Sequence, residues 1–170
     1  TAGMLRDWGQ EHGIEVDVPG LVTSEDHKPV SSTRIRRLIA QGDVAEAAEL
    51  LGRPHVLDGP VVAGDGRGAG LGIPTANVAV DQQMALPAAG VYAAACRVGD
   101  RWFPAAVNVG HAPTFRVGGE IRFEAFLLDY DGGDIYGERI RLAFLERLRA
   151  EQRFVNAEAL IAQVEKDIAL

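Results

Sequence analysis

The sequence predicts a mainly β chain: a closed six-stranded antiparallel barrel with a C-terminal helix, preceded by a small α/β segment. Three observations predict it. Short apolar runs recur between glycine-rich turns from about residue 53 onward, at roughly 55–63, 75–80, 90–98, 102–109, 120–129 and 138–146. Residues 1–52 instead carry the three-to-four-residue period of amphipathic helices. The 170 residues are 47% hydrophobic and include 20 glycines, enough apolar surface for one core with many tight turns.

Taken in order, residues 1 to 12 place Met4, Leu5, Trp8 and His12 on one side of a short helix, and Ile14 to Val18 alternates like a strand. The hydroxyls of Ser31-Ser32-Thr33 suit a helix N-cap ahead of the apolar set Ile35, Leu38 and Ile39. Beyond Gly42, Asp43 is placed to cap a second helix in which Val44, Ala47, Ala48 and Leu51 share a face, ending at Gly52. The boundary falls at Gly52-Arg53-Pro54, giving a segment 1–52 and a barrel domain 53–170. Near the end, Asn156 can cap a helix carrying Ala157, Leu160, Ile161, Val164 and Ile168, with Glu158 in its first turn. No internal repeat or low-complexity segment is visible.

The net charge of −7 offers no general field for phosphate backbones or anionic lipid, so nucleic-acid and membrane partners are not expected. Single-strand binders combine a basic groove with stacking aromatics, and only 6% of these residues are aromatic, which disfavours an oligonucleotide-binding barrel. An acidic protein still binds ATP where backbone N–H groups and Mg²⁺ neutralise the phosphates locally. Cys96 stands alone inside Val91-Tyr92-Ala93-Ala94-Ala95-Cys96 and reads as an inert, half-buried thiol, compatible with a reducing cytoplasm. No stretch is long and apolar enough to span a membrane.

The densest motif is Gly64-Asp65-Gly66-Arg67-Gly68-Ala69-Gly70-Leu71-Gly72-Ile73-Pro74-Thr75-Ala76-Asn77. Its alternating glycines allow close approach of backbone N–H groups to phosphate oxygens. No Gly-Lys-Ser/Thr follows, so it is not a Walker loop, and composition alone favours a flexible hairpin. The run Gly72-Ile73-Pro74-Thr75-Ala76-Asn77 is more informative. On a strand, Thr75 and Asn77 face the same way, presenting a hydroxyl and an amide oxygen to one hard cation such as Mg²⁺.

That run resembles the glycine-rich loop and Pro-Thr-Ala-Asn signature of riboflavin kinases, and the similarity extends over about residues 53 to 169. The resemblance implies a Greek-key-like barrel that transfers the γ-phosphate of MgATP to the ribityl 5′-hydroxyl of riboflavin, giving FMN. A second stretch supports it: Ile121-Arg122-Phe123-Glu124-Ala125-Phe126-Leu127-Leu128, followed by Asp129-Tyr130-Asp131-Gly132-Gly133-Asp134-Ile135-Tyr136-Gly137. Glu124 matches the family's catalytic glutamate. Read without the resemblance, it is an outward residue able to pair with Arg122.

The same matching implies an ATP site of Gly64, Gly66, Arg67, Gly68, Gly72, Pro74, Thr75, Asn77, Leu127, Asp129 and Tyr136, with Thr75 and Asn77 as the metal pair. It implies flavin contacts from Arg149, Gln152 and Phe154, because Arg149-Ala150-Glu151-Gln152-Arg153-Phe154 resembles the family's Leu-Arg-x-Glu-x-x-Phe segment. Two departures stand out. Phe126 occupies the place of a histidine common in relatives, and no lysine lies near Gly70, which leaves Arg67 to assist the phosphates. Asn108-Val109-Gly110 and Pro113-Thr114-Phe115 also resemble family sequence and read as a turn shaping the barrel mouth.

Val30-Ser31-Ser32-Thr33-Arg34-Ile35-Arg36 resembles the phosphate-binding segment of the FMN adenylyltransferase domain joined to bacterial riboflavin kinases. That domain's chemistry also needs a His-x-x-His or His-x-Gly-His element, whereas His12, His27, His55 and His111 are scattered singly. Residues 1–52 are therefore expected to be the tail of such an α/β domain, and FMN without FAD is the expected product. A cytoplasmic monomer acting on riboflavin and ATP completes the expectation. The competing reading is a non-catalytic flavin-binding or sensing module, against which the intact Thr75, Asn77 and Glu124 set argues.

Overall fold

The computed structural model describes residues 1–20, 22–24, 28–64, 75–111 and 120–152, and the helical positions 159, 162, 163 and 166. Residues 1–31 and 32–170 form two compact units.

In the first unit, helix α1 (Ala2–His12) starts at Thr1, whose hydroxyl accepts from the Met4 N–H, and ends at Gly13, a left-handed residue with φ 66°. Trp8 and His12 stack at 4.2 Å between ring centroids, as one-face spacing requires. The expected strand at Ile14 to Val18 is not formed. Alternation makes a strand only when a partner ladder exists, and here the Ile14 N–H turns back to the Gly9 carbonyl at 2.8 Å while Val16 packs over Gly9. The described pairing in this unit is one isolated bridge, Thr23 with Pro29.

The second unit opens with α2 (Ser32–Gln41) and α3 (Val44–Leu51). Asp43 takes the N-cap position of α3, but its carboxylate makes no capping hydrogen bond; its carbonyl accepts from the Ala47 N–H. Gly52 closes α3 in the left-handed region, as its place after the last apolar residue implies. Leu38, Ile39 and Ala47 form a small core between the two helices, and Arg34 pairs with Glu46 at 3.1 Å across them.

Six strands follow: β1 (His55–Val62), β2 (Ala76–Val78), β3 (Gly90–Val98), β4 (Arg101–His111), β5 (Ile121–Leu127) and β6 (Arg139–Arg149). They close into an antiparallel barrel in the order β1-β2-β5-β4-β3-β6. The consecutive neighbours β3, β4 and β5, with β6 returning beside β3, make a Greek key. The strands turn one set of side chains inward to a core that includes Leu57, Tyr92, Val107, Phe123, Leu142 and Phe144, with alternation broken in β6, where Leu142, Ala143 and Phe144 are all buried. Small residues such as Ala94, Cys96, Ala105 and Ala125 sit among the larger side chains of this narrow core. Tyr92 and Phe144 meet edge to face at 5.4 Å, and the Tyr92 hydroxyl donates to the Ala88 carbonyl at 2.6 Å.

Val44 of α3 is fully buried in this same barrel core, so the helical pair and the barrel share one interior. Ala159, Ala162, Gln163 and Lys166 are helical, consistent with a C-terminal helix. Asn156, Ala157, Glu158, Leu160, Ile161, Val164 and Ile168 lie outside the described residues.

Candidate active site

Because strands alternate, the residues between the buried ones point away from the core, and the polar candidates occupy that outer face. On β2, Ala76 and Val78 face inward while Asn77 is half-buried outside; on β5, Phe123 and Ala125 face inward while Glu124 is half-buried outside. The ladder then fixes which of them meet. Asn77 lies directly opposite Glu124, and Glu124 directly opposite Asn108 of β4. Direct antiparallel partners hold their β-carbons about 4.5–5.5 Å apart. Asn108 in turn pairs with Val91, and Val91 with Arg149, so one cross-strand row runs Asn77, Glu124, Asn108, Val91, Arg149. Two expected sites, the metal pair and the flavin arginine, are thereby joined through the catalytic candidate. Phe126 sits one outward step along β5, opposite Ala106.

Thr75 precedes β2 and lines a cavity of about 250 Å³ together with Leu127 and Tyr136. Three expected nucleotide residues thus converge on one space. Tyr130, Asp134 and Ile135 also line it and were not expected. Their signal lay in the Asp-rich turn itself, which folds over the cavity instead of pointing only its end residues into it.

That turn is held by several bonds. The Asp134 carboxylate accepts from the Tyr136 N–H at 2.9 Å, and Gly137, at φ 81°, donates its N–H to the Val61 carbonyl at 2.8 Å. Tyr130 packs edge to face on Phe103 at 5.1 Å. Asp129 lies beside the cavity's lining and adopts φ 54°, a left-handed conformation that reverses the chain after β5.

Gly64 sits against Asn77 so closely that a β-carbon at position 64 would collide with the Asn77 carboxamide. The start of the glycine segment therefore limits where the Asn77 side chain can sit. Gly66, Arg67, Gly68, Gly72, Pro74 and Phe154 lie outside the described residues. Arg149 is half-buried at the end of β6, and Gln152 is exposed just beyond it.

The donor chemistry fits a magnesium–nucleotide complex. Thr75 and Asn77 supply two neutral oxygens, few enough that phosphate oxygens and water would complete an octahedral shell. Among the described residues there is no cluster of His, Cys, Asp and Glu able to hold a metal by itself. Other reactive groups are accounted for structurally. Cys96 is buried and desolvation pushes its thiol pKa up to about 12, so it is no nucleophile at neutral pH. His55 is buried on β1, and its Nε2 donates to the Ala85 carbonyl at 2.8 Å.

Comparison with known proteins agrees with this arrangement. Residues 51–170 match the flavokinase family model, described as riboflavin kinase. The bifunctional riboflavin kinase/FMN adenylyltransferase of Listeria monocytogenes is 38% identical over 154 residues, covering 91% of this chain and 48% of that protein. The Bacillus subtilis protein of the same description is 36% identical, covering 85% of this chain and 46% of its own length. The chain thus spans about half the length of these relatives. A Streptococcus pneumoniae structure named as a macrolide-efflux protein superposes with a TM-score of 0.87 at 36% identity, over 99% of this chain and 54% of that one. Riboflavin kinase from Trypanosoma brucei shares the fold, with a TM-score of 0.51 at 24% identity, over 69% of this chain and 76% of its own.

Proposed function

From the premise that this chain belongs to the riboflavin kinase family, we propose that it phosphorylates the ribityl 5′-hydroxyl of riboflavin with MgATP, giving FMN and ADP. The observation that carries the reading is the ladder pairing of Asn77 with Glu124 beside a cavity lined by Thr75.

In this reading the nucleotide occupies the cavity under the turn that carries Tyr130 and Tyr136, and its triphosphate runs toward Thr75 and Asn77. These two oxygens and the phosphates share the Mg²⁺ of the substrate complex. Glu124 accepts the proton of the 5′-hydroxyl as that oxygen bonds to the γ-phosphorus and the bond to the ADP oxygen breaks. Little covalent work falls to the protein, so positioning and charge neutralisation supply most of the rate. The glycine segment and Arg67 would add phosphate contacts, and Arg149, Gln152 and Phe154 would hold the flavin.

The same reading treats residues 1–52 as the end of an adenylyltransferase-like domain, with no FAD made by this chain, and a monomer working in the cytoplasm. The test is incubation with riboflavin, ATP and Mg²⁺ followed by chromatographic separation of the flavins. FMN without FAD is expected; unconverted riboflavin would refute the kinase reading.

A further inference from the structure

The turn between β5 and β6 that lines the Thr75 cavity is fixed near its two ends by main-chain hydrogen bonds. At the first, the Leu128 N–H donates to the Pro104 carbonyl at 2.8 Å; at the second, the Gly137 N–H donates to the Val61 carbonyl at 2.8 Å. The middle, residues 130–133, is held differently. Among the described residues no hydrogen bond joins it to the barrel, and its ties are the Tyr130 ring on Phe103 and a 3.7 Å ion pair between Asp131 and Arg101. Both partners of that pair are largely exposed, and such pairs contribute little. The ring contact is the stronger tie, because Phe103 is buried in the barrel wall.

A second observation comes from Gly132. A β-carbon there would collide with the ring and hydroxyl of Tyr130, so the ring folds back against the turn's own backbone into space that a glycine leaves open. The Tyr130 hydroxyl donates to the Gly133 carbonyl at 3.3 Å and closes the same fold. On β4, the Arg101 guanidinium lies 4.9 Å from the Phe103 ring centroid. A continuous stack thus runs from Gly132 through Tyr130 and Phe103 to Arg101.

Tyr130, Gly132 and Gly133 all line the cavity, whereas Phe103 stands outside that lining. Two successive glycines give a turn many backbone conformations, and pinning one of them beforehand removes an ordering cost from ligand binding.

We propose that Phe103 is a positioning residue for the nucleotide: by seating Tyr130 it holds the middle of the turn in the shape that receives MgATP. This rests on the kinase reading, and its test separates the two. Phe103→Leu is made in the full chain, with MgADP affinity measured by titration calorimetry and riboflavin affinity by flavin fluorescence. The variant is expected to bind MgADP about fivefold more weakly and to raise the KM for ATP by a similar factor, with kcat and riboflavin affinity within twofold of wild type.

Unchanged MgADP affinity would overturn the proposal, and so would equal weakening for both ligands, the mark of a distorted barrel. Wild-type chain that binds MgADP but makes no FMN refutes the kinase reading, and the MgADP comparison then still decides the role of Phe103. Wild-type chain that does not bind MgADP refutes both. Should Phe103→Leu fail to fold, Gly132→Ala unseats the same ring from an exposed turn with no left-handed backbone to strain. It is expected to weaken MgADP by about fivefold with riboflavin affinity retained, and a normal MgADP affinity counts against the proposal.

Discussion

Glu124 shows how one residue's setting is decided by its neighbours across the sheet. Its sequence context allowed either a solvated pair with Arg122 or a catalytic carboxylate; the ladder places it between Asn77 and Asn108. That register was not legible beforehand, because it depends on how distant strands align. Glu124→Gln preserves shape while removing the carboxylate proposed as the proton acceptor. It is expected to lower kcat by about 10²–10⁴-fold with riboflavin and nucleotide affinities retained, in steady-state assays paired with binding titrations. Near-normal turnover would take Glu124 out of the chemistry. Gly64 makes a complementary case, since its glycine was legible as part of the loop but its contact was not. Gly64→Ala forces the Asn77 carboxamide aside. The KM for MgATP should rise by about tenfold while riboflavin affinity holds, and a normal ATP KM would show that Asn77 is not a ligand.

At the scale of elements, the six strands and three of the helices were readable because apolar period and turn residues act locally. The Ile14 to Val18 strand was misread because alternation says nothing about whether a partner strand is present. The family match beginning at residue 51 draws attention to the barrel, yet α3 contributes the fully buried Val44 to the barrel's own core. The turn before α3 is equally engaged. Gly42 has φ 90°, and a β-carbon on it would meet Arg147 Cδ at 2.7 Å and the Tyr92 hydroxyl at 2.9 Å. Arg147 in turn donates to the Ala89 carbonyl at 2.7 Å, tying β6 to the segment before β3. Gly42→Ala is expected to cost about 1–3 kcal/mol through backbone strain and crowding, and Val44→Ala about 2 kcal/mol through lost packing. Urea unfolding of the full chain measures both. If neither shifts the barrel's transition, the helical pair and the barrel fold independently.

For the molecule as a whole, the buried imidazole of His55 couples folding to pH. Burial is the main influence and lowers its pKa below the ordinary 6.5; the Ala85 hydrogen bond opposes this, and Arg53 adds to it. The unfolded chain therefore takes up a proton at a pH where the folded chain still holds a neutral ring. More protons on the unfolded state means that stability falls as pH falls, starting near 6.5 and continuing down to the lowered native value. Above that range the contribution is complete and flat. Ordinary carboxylates titrate mainly below about pH 5, so the interval from 6.5 to 5 reports this histidine with little interference. His55→Gln keeps an N–H within reach of the Ala85 carbonyl but cannot titrate. Its Tm at pH 7.5 is expected to be lower than that of the native chain, since His55 stacks near Phe144 at 6.2 Å and fills its site. Between pH 6.5 and 5, however, the variant should lose less stability than the native chain. Parallel Tm curves for the two proteins across that interval would show that acid sensitivity arises elsewhere in the barrel.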